Sequence, residues 1–164
     1  MTDVTLRLAG AEVLDALEPL WLTLHHHHQT VTTPASFQDD ATSWSARRAL
    51  YEHWLEENED AFIVLAVRGD KPVGYAFVEI LPGPDDTWVT GTRLAELQTL
   101  AVAPAERGHG IGTLLLDTVD ARLKDLGIDD VYIAVLTGNN DALRFYQRRG
   151  LRPVMTLLAR FKSD

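Results

Sequence analysis

The chain has 164 residues and a formal net charge of −9 at pH 7, and at this length we expect residues 1–164 to form one domain. Hydrophobic residues make up 46% and charged residues 24%, which excludes a disordered or fibrous protein, and the acidic balance argues against a nucleic-acid binder. The longest apolar run, Ala61 to Val67, is too short to span a membrane, and the absence of both cysteine and a signal-peptide pattern is typical of a cytoplasmic protein.

The first half of the chain predicts a strand, two helices and a hairpin. Apolar residues alternate at the start and then recur at three and four positions, as in an amphipathic helix. A loop follows, and its acidic residues are suited to cap the next helix. The predicted elements are a strand at Val4–Leu8, a helix from Ala11 to about His28, a second helix after the loop at 32–41, and hairpin strands at Ala61–Val67 and Val73–Leu81.

Two features of these helices have more than one interpretation. The run from His25 to His28 is consistent with an exposed helix end or with the wall of an acceptor pocket. A metal site is least favoured, because only His25 and His28 share a helix face. Trp44, Tyr51 and Trp54 lie on one side of the second helix, which is typical of a core, although a pocket wall would use the same residues.

The second half alternates strands and helices, which predicts parallel pairing between the strands on either side of the longer helix. Leu97 and Leu100 are three residues apart, whereas Leu100 and Val102 are two apart, so we expect a β-bulge at Gln98-Thr99. The predicted elements are a strand at Arg93–Val102, a helix from the glycine loop to Gly127, a strand at Val131–Leu136, a short helix at Asn139–Arg149, and a last strand at Val154–Phe161.

A glycine-rich loop, Arg107-Gly108-His109-Gly110-Ile111-Gly112, joins the strand to the longer helix. Alternate glycines leave backbone N–H groups uncovered, and the helix behind them adds unpaired donors and a positive dipole end, which is chemistry for holding a phosphate. The spacing fits neither the dinucleotide fingerprint nor the nucleotide-triphosphate loop. The glycines alone leave open a different nucleotide-binding α/β protein.

Two motifs in this half resemble the GNAT superfamily of N-acetyltransferases. The loop resembles the family's R-x-x-G-x-G/A motif, and Asn139, Ala142, Tyr146 and Gly150 resemble its N-x-x-A-x-x-x-Y-x-x-x-G-F pattern, with Leu151 in place of Phe. The resemblance covers Arg93 to Arg152. It implies an α/β fold with a mixed sheet of about seven strands and four helices, in which the two parallel central strands splay apart.

The resemblance implies acetyl-coenzyme A as the acetyl donor. Pantetheine would lie between the splayed strands and Asn139 would contact it, while the loop would hold the pyrophosphate. Four arginines near the C-terminus, Arg144, Arg148, Arg149 and Arg152, are either a solvated helix face or a contact for the adenosine phosphate. The implied binding residues are the backbones of Leu100 and Val102, then Arg107, Gly108, His109, Gly110, Ile111, Gly112 and Thr113, and finally Asn139.

Two side chains are candidates for proton transfer. Glu96 lies four residues before Leu100, the offset at which some GNAT members carry a catalytic glutamate that takes the amine proton, directly or through water. Tyr146 matches the family's usual general acid for the departing thiolate. An ordinary polar strand residue and a buried structural tyrosine are the alternatives to these two roles.

The resulting hypothesis is direct acetyl transfer from acetyl-coenzyme A to a primary amine of a small molecule or peptide. The alternative is a catalytically silent acyl-coenzyme A sensor or interaction module on the same fold. We expect no nucleic-acid, membrane or metal partner, and because many relatives pair, a homodimer is compatible with the resemblance. Motif matching is absent from the segments that would select the acceptor, so the sequence leaves its identity open.

Overall fold

The computed structural model describes residues 3–32 and 36–162, and this part of the chain forms one mixed sheet of five strands with four α-helices. The strands lie across the sheet in sequence order; those from first to fourth are antiparallel, and the fifth is parallel to the fourth. The α/β fold with a mixed sheet is therefore confirmed, and its parallel pair lies at one edge of the described sheet. The elements are β1 (Val4–Ala9), α1 (Leu14–Val31), α2 (Asp40–Glu57), β2 (Phe62–Arg68), β3 (Lys71–Pro82), β4 (Arg93–Val102), α3 (Ile111–Asp125), β5 (Val131–Ile133) and α4 (Asn140–Arg148), with short 3-10 turns at Ala11–Val13 and Pro104–Glu106.

Helices cover both faces of the sheet, which explains why β2 and β3 are almost continuously apolar. Successive strand residues point to opposite faces, so that Ile63 packs with α1 and α2 whereas Val64 packs with α3. On the first face the Tyr51 ring of α2 stacks on Phe77 of β3, with 4.1 Å between ring centroids. Two separate cores thus fix the sheet from both sides.

The predicted bulge lies in the middle of β4. Thr99 is opposite Phe77 and Leu97 is opposite Val78, so Gln98 is the extra residue. Because a bulge shifts the alternation by one position, Leu97 and Leu100 face the same core although they are three residues apart. The spacing of leucines in the sequence is therefore explained by the register.

Helix ends follow local capping chemistry. The Asp39 side chain accepts a hydrogen bond from Thr42 N at 2.9 Å and caps α2, as expected of the acidic loop. The run from His25 to His28 lies near the C-terminal end of α1, which continues to Val31, and His25 is buried.

Five strands rather than about seven are present in the described ranges, and the predicted last strand at Val154–Phe161 is wrong. This segment follows α4 without strand pairing, and an apolar sequence becomes a strand only where a neighbouring strand offers hydrogen-bond partners. Its large apolar side chains remain exposed: Val154 48%, Met155 77%, Leu157 89%, Leu158 87% and Phe161 50%. The strand expected at Val131–Leu136 is also shorter, because its pairing with β4 ends at Ile133.

None of the helices within the described ranges combines the length and the apolar character that crossing a membrane requires.

Candidate functional site

The site begins where β4 and β5 separate. Ala95–Leu97 pair with Val131–Ile133, after which β4 continues to Val102 beside β3 while the chain beyond Ile133 leaves the ladder. Parallel strands that diverge in this way expose backbone groups along the facing edges. The splayed pair that the resemblance implied is therefore present.

The backbone of Leu100 and Val102 faces this gap. Ala103 N donates to Val73 O at 2.8 Å, so the backbone groups of Ala103 point toward β3 and those of its neighbour Val102 point away from it. The same alternation directs Leu100 into the gap. Arg107 Nε already donates to Val102 O at 3.1 Å, which ties the loop to the strand. An extended ligand could add to this edge as an extra strand would.

The glycine loop places unpaired N–H groups beside the gap. Gly108 and Gly110 have φ values of +79° and +82°, and a Cβ at either position would meet nothing within 4 Å. Gly110 is the N-cap residue of α3, whose first internal bond runs from Leu114 N to Gly110 O at 3.0 Å. The N–H groups of Ile111–Thr113 therefore lack partners from the helix and lie at its positive end, which suits a phosphate.

An ion pair fastens this loop to the sheet. Arg68 of β2 donates from Nη2 and Nε to the two carboxylate oxygens of Glu106, at 2.8 and 3.1 Å. These hydrogen bonds hold the pKa of the Glu106 carboxyl below its usual range. His109 Nδ1 lies 3.2 Å from Glu106 O. Glu106 therefore contacts β2 through Arg68 and the glycine loop through His109.

Tyr146 lies on α4, on the face of the sheet that α3 covers. The residue is 7% exposed, and no hydrogen bond to the described residues contributes to the pKa of its hydroxyl. Burial raises the pKa of the phenol, so the hydroxyl stays protonated at neutral pH and is available as a donor. Asn139 has a structural role as the N-cap of α4, where its Oδ1 accepts from Ala142 N at 3.4 Å, while its amide N–H groups remain available.

Glu96 lies on the opposite face of the sheet, because its neighbours Ala95 and Leu97 pack in the core with α3. It is half-buried and lies directly opposite Glu79 of β3. Burial, followed by the charge of Glu79, raises the pKa of the Glu96 carboxyl. Gln98, the bulge residue, donates to Glu79 Oε2 at 2.7 Å. The candidate base and the candidate acid thus lie on opposite faces of the sheet, and Glu96 lies one residue before the last pair of the β4–β5 ladder.

Sequence reasoning missed Glu79 as a partner of Glu96. The signal was present, since Glu79 is the one charged residue in the apolar run Val73–Leu81. What the sequence lacks is the register that places the two carboxylates opposite each other.

Some of the remaining candidates have structural partners. His25 Nε2 lies 2.7 Å from Gln38 O and His26 Nε2 lies 2.8 Å from Asp40 Oδ1, and the described ranges hold no cluster of three or more potential metal ligands. Arg149 bridges from Nη2 to Asp117 and Asp120 of α3 at 2.8 and 2.9 Å. Arg144 also pairs with an acidic residue, Asp141. Two of the four C-terminal arginines, Arg144 and Arg149, therefore have acidic partners within the chain.

The same fold occurs in solved N-acetyltransferases. The structure of the aminoglycoside N-acetyltransferase AAC(6')-Iy, determined in complex with CoA, matches with a TM-score of 0.73 over 99% of this chain and 96% of that chain. The sequence identity is 16%, so this likeness concerns the fold alone.

Curated proteins give closer sequence matches. The chain is 35% identical over 104 residues to an uncharacterized N-acetyltransferase of Methanocaldococcus jannaschii, which is 61% of this chain and 43% of that protein. It is 32% identical over 109 residues to an N-alpha-acetyltransferase of Sulfurisphaera tokodaii, which is 65% of this chain and 64% of that protein. The match therefore spans less than two thirds of either relative's length.

The match to a family model identifies the class of protein, an N-acetyltransferase. The model of the acetyltransferase (GNAT) family matches residues 21–151, and the chain belongs to this family. The matched range begins within α1 and ends just after α4, so it contains the splayed strands, the glycine loop and the motif of Asn139 and Tyr146.

Proposed function

We propose that the chain transfers an acetyl group from acetyl-coenzyme A directly to a primary amine of a small molecule or peptide. The observation that carries this proposal is the gap between β4 and β5, lined by outward-facing backbone and flanked by the glycine loop. Acetyl-coenzyme A would supply an acyl thioester. The backbones of Leu100 and Val102 would hold its pantetheine arm with help from Asn139, and the N–H groups of 107–113 would bind the pyrophosphate.

Glu96 would prepare the amine for attack. A lysine-like amine with a pKa near 10.4 is mostly protonated at pH 7, and holding it neutral costs about 4.6 kcal/mol. A half-buried carboxylate of raised pKa is suited to accept that proton, directly or through water. The opposed Glu79 adds negative charge that favours an ammonium group in the same place.

Tyr146 would donate its proton to the leaving sulfur. The phenol is protonated because burial raises its pKa, and burial is the one cause of that shift among the described residues. A single positioned acid of this kind contributes about 10²- to 10⁴-fold to the rate. Tyr146→Phe should therefore lower kcat at least about 100-fold and leave the affinity for coenzyme A unchanged.

The direct test is release of coenzyme A thiol with a panel of primary amines. The chain contains no cysteine, so a thiol reagent reports only the product. Turnover with any amine supports the proposal, whereas tight coenzyme A binding without turnover of peptide, polyamine or amino-acid amines would favour the silent sensor. An undiminished kcat in Tyr146→Phe would remove that residue from the reaction.

The pH dependence separates the two carboxylates. If Glu96 is the base, activity rises with pH through its pKa, and Glu96→Gln removes this acidic limb. Glu79→Gln is the matched control: it removes a negative charge that raises the pKa of Glu96, so the limb should move to lower pH. An acidic limb that persists in Glu96→Gln would point to another base.

A homodimer belongs to the same proposal, because residues 154–161 expose a row of large apolar side chains that a second copy would cover. Replacing Leu157 and Leu158, which are 89% and 87% exposed, with Glu should then leave monomers. Light scattering after size exclusion would show this, and a wild-type protein that is monomeric at all concentrations would refute it.

A further inference from the structure

The bulge in β4 reverses the direction in which the backbone groups of this strand point. Ala95 N donates to Asp130 O at 2.9 Å, toward β5. Ala103 N donates to Val73 O at 2.8 Å, toward β3. Residues an even number of positions apart point the same way in a regular strand, so the extra residue Gln98 accounts for the reversal. The position of the bulge therefore decides which backbone groups of β4 face the gap beside β5.

Leu100 depends directly on this position. Its backbone groups face the gap because the bulge lies before it, at Gln98; without the bulge they would turn toward β3. The glycine loop lies at one end of the gap, and the other end closes at Leu97, where the ladder with β5 ends. A pantetheine arm whose pyrophosphate lies at the loop would pass Val102 and Leu100 toward the closed end. Its thioester would then lie beside the bulge.

A hydrogen bond between two buried hydroxyls connects the bulge to α2. The Oγ1 atom of Thr99 is hydrogen-bonded to the Oη atom of Tyr51, and both residues are buried. The Tyr51 ring also stacks on Phe77, which is the residue opposite Thr99 in β3. Because this stacking fixes the ring and burial excludes water, the Tyr51 hydroxyl holds Thr99 at a defined place.

Two further hydrogen bonds surround this contact. Tyr75 Oη lies 3.0 Å from Tyr51 Oη, so hydroxyls from α2, β3 and β4 form one buried cluster. Burial raises the pKa of both phenols, which remain neutral at pH 7. Gln98 Nε2 donates to Glu79 Oε2 of β3 at 2.7 Å. Buried hydroxyls cost free energy that phenylalanine and valine side chains would avoid, so packing alone does not explain the cluster.

We propose that Tyr51 and Thr99 are positioning residues for acetyl transfer: their hydrogen bond holds the bulge in the register that directs the Leu100 N–H into the gap, toward the carbonyl of the thioester. In the transfer the amine nitrogen bonds to the carbonyl carbon and loses a proton, and the C–S bond breaks to release a thiolate that takes up a proton. Negative charge develops on the carbonyl oxygen in between, and a preorganised N–H donor stabilises it. This inference rests on the proposed function, because it assigns residues that orient the same site.

The test removes the Thr99 hydroxyl and keeps the shape of the side chain. Thr99→Val should lower kcat about 10- to 100-fold and change the dissociation constant of coenzyme A less than about threefold, since the pyrophosphate loop is untouched. Tyr51→Phe should act in the same direction, and Thr99→Ser, which keeps a hydroxyl, should restore most of kcat. Coenzyme A release and isothermal titration calorimetry measure the two quantities, at a temperature at which circular dichroism shows every variant folded.

Ser43→Ala is the matched control, because it removes another buried hydroxyl, which accepts from Trp21 Nε1 at 3.0 Å, away from the bulge. It should leave kcat unchanged. An equal loss in this variant, or a kcat in Thr99→Val close to that of the wild type, would overturn the proposal.

An amide NMR spectrum of protein isotope-labelled at leucine nitrogen observes Leu100 without any turnover, with its resonance assigned through Leu100→Ile. Coenzyme A should shift this resonance in the wild type and in Thr99→Ser, and shift it much less in Thr99→Val. The same shift in all three proteins would also overturn the proposal. If no amine is acetylated, the proposed function fails, and these spectra still decide separately whether the Thr99 hydroxyl holds Leu100 in place.

Discussion

Two glycines of the same loop should respond in opposite ways to alanine. Gly110 has a φ of +82° with open space around it, so an alanine there would cause no clash but would cost about 1–2 kcal/mol of backbone strain. Gly112 lies within α3 without positive φ, and its added Cβ would be 3.5 Å from Phe145 Cζ, an ordinary contact. Alanine at this position should gain about 0.5–1 kcal/mol of helix propensity.

The free energies of unfolding of Gly110→Ala and Gly112→Ala should therefore differ by about 2 kcal/mol. Urea denaturation followed by tryptophan fluorescence measures this, with a lower midpoint for the first variant, a higher midpoint for the second and unchanged slopes. Equal destabilisation of both variants would refute the conformations on which this reasoning depends.

The same pair tests the proposed phosphate site. Gly110→Ala should weaken coenzyme A binding in isothermal titration calorimetry, because the strained loop would displace the N–H groups of 111–113. An unchanged dissociation constant in Gly110→Ala would remove this loop from the proposed site.

Three further predictions concern the scaffold. Tyr51→Phe removes the central hydroxyl of a buried cluster and should lower the free energy of unfolding by about 1–3 kcal/mol, and a loss under about 0.5 kcal/mol in urea would contradict this. Leu115 is fully buried and Leu114 is 42% exposed, so Leu115→Ala should lower the free energy of unfolding by about 3–5 kcal/mol while Leu114→Ala leaves it nearly unchanged. Similar losses in the two variants would show that the packed face of α3 is misassigned. Folding lowers the pKa of His28 from 6.5 to about 4, so the free energy of unfolding is highest above pH 6.5 and decreases as the pH falls toward 4. His28→Gln should make this decrease smaller. Parallel plots of the free energy of unfolding against pH for wild type and variant would refute the prediction.

Local sequence determined most of the elements. The bounds of β4 agree with the predicted Arg93–Val102, and the bulge follows from the spacing of Leu97 and Leu100. These features are predictable because alternation and helical periodicity are short-range patterns, and a buried face requires them whatever the rest of the chain does. The proposed phosphate-binding loop was predictable for the same reason, since a glycine loop before a helix presents its N–H groups by local geometry alone.

Long-range contacts decided the rest. The segment 154–161 has a strand-like composition but lacks a partner, and pairing is not encoded within a segment. Glu79 became relevant only through its register opposite Glu96. Arg47 and Arg48 are adjacent and identical in the sequence, yet one packs on aromatic rings and the other pairs with acids, because the two positions are about 100° apart around α2. The sequence thus determined the two motifs that the chain shares with its family, whereas the surroundings of Glu96 and Arg47 arise only where α1, α2 and the sheet meet.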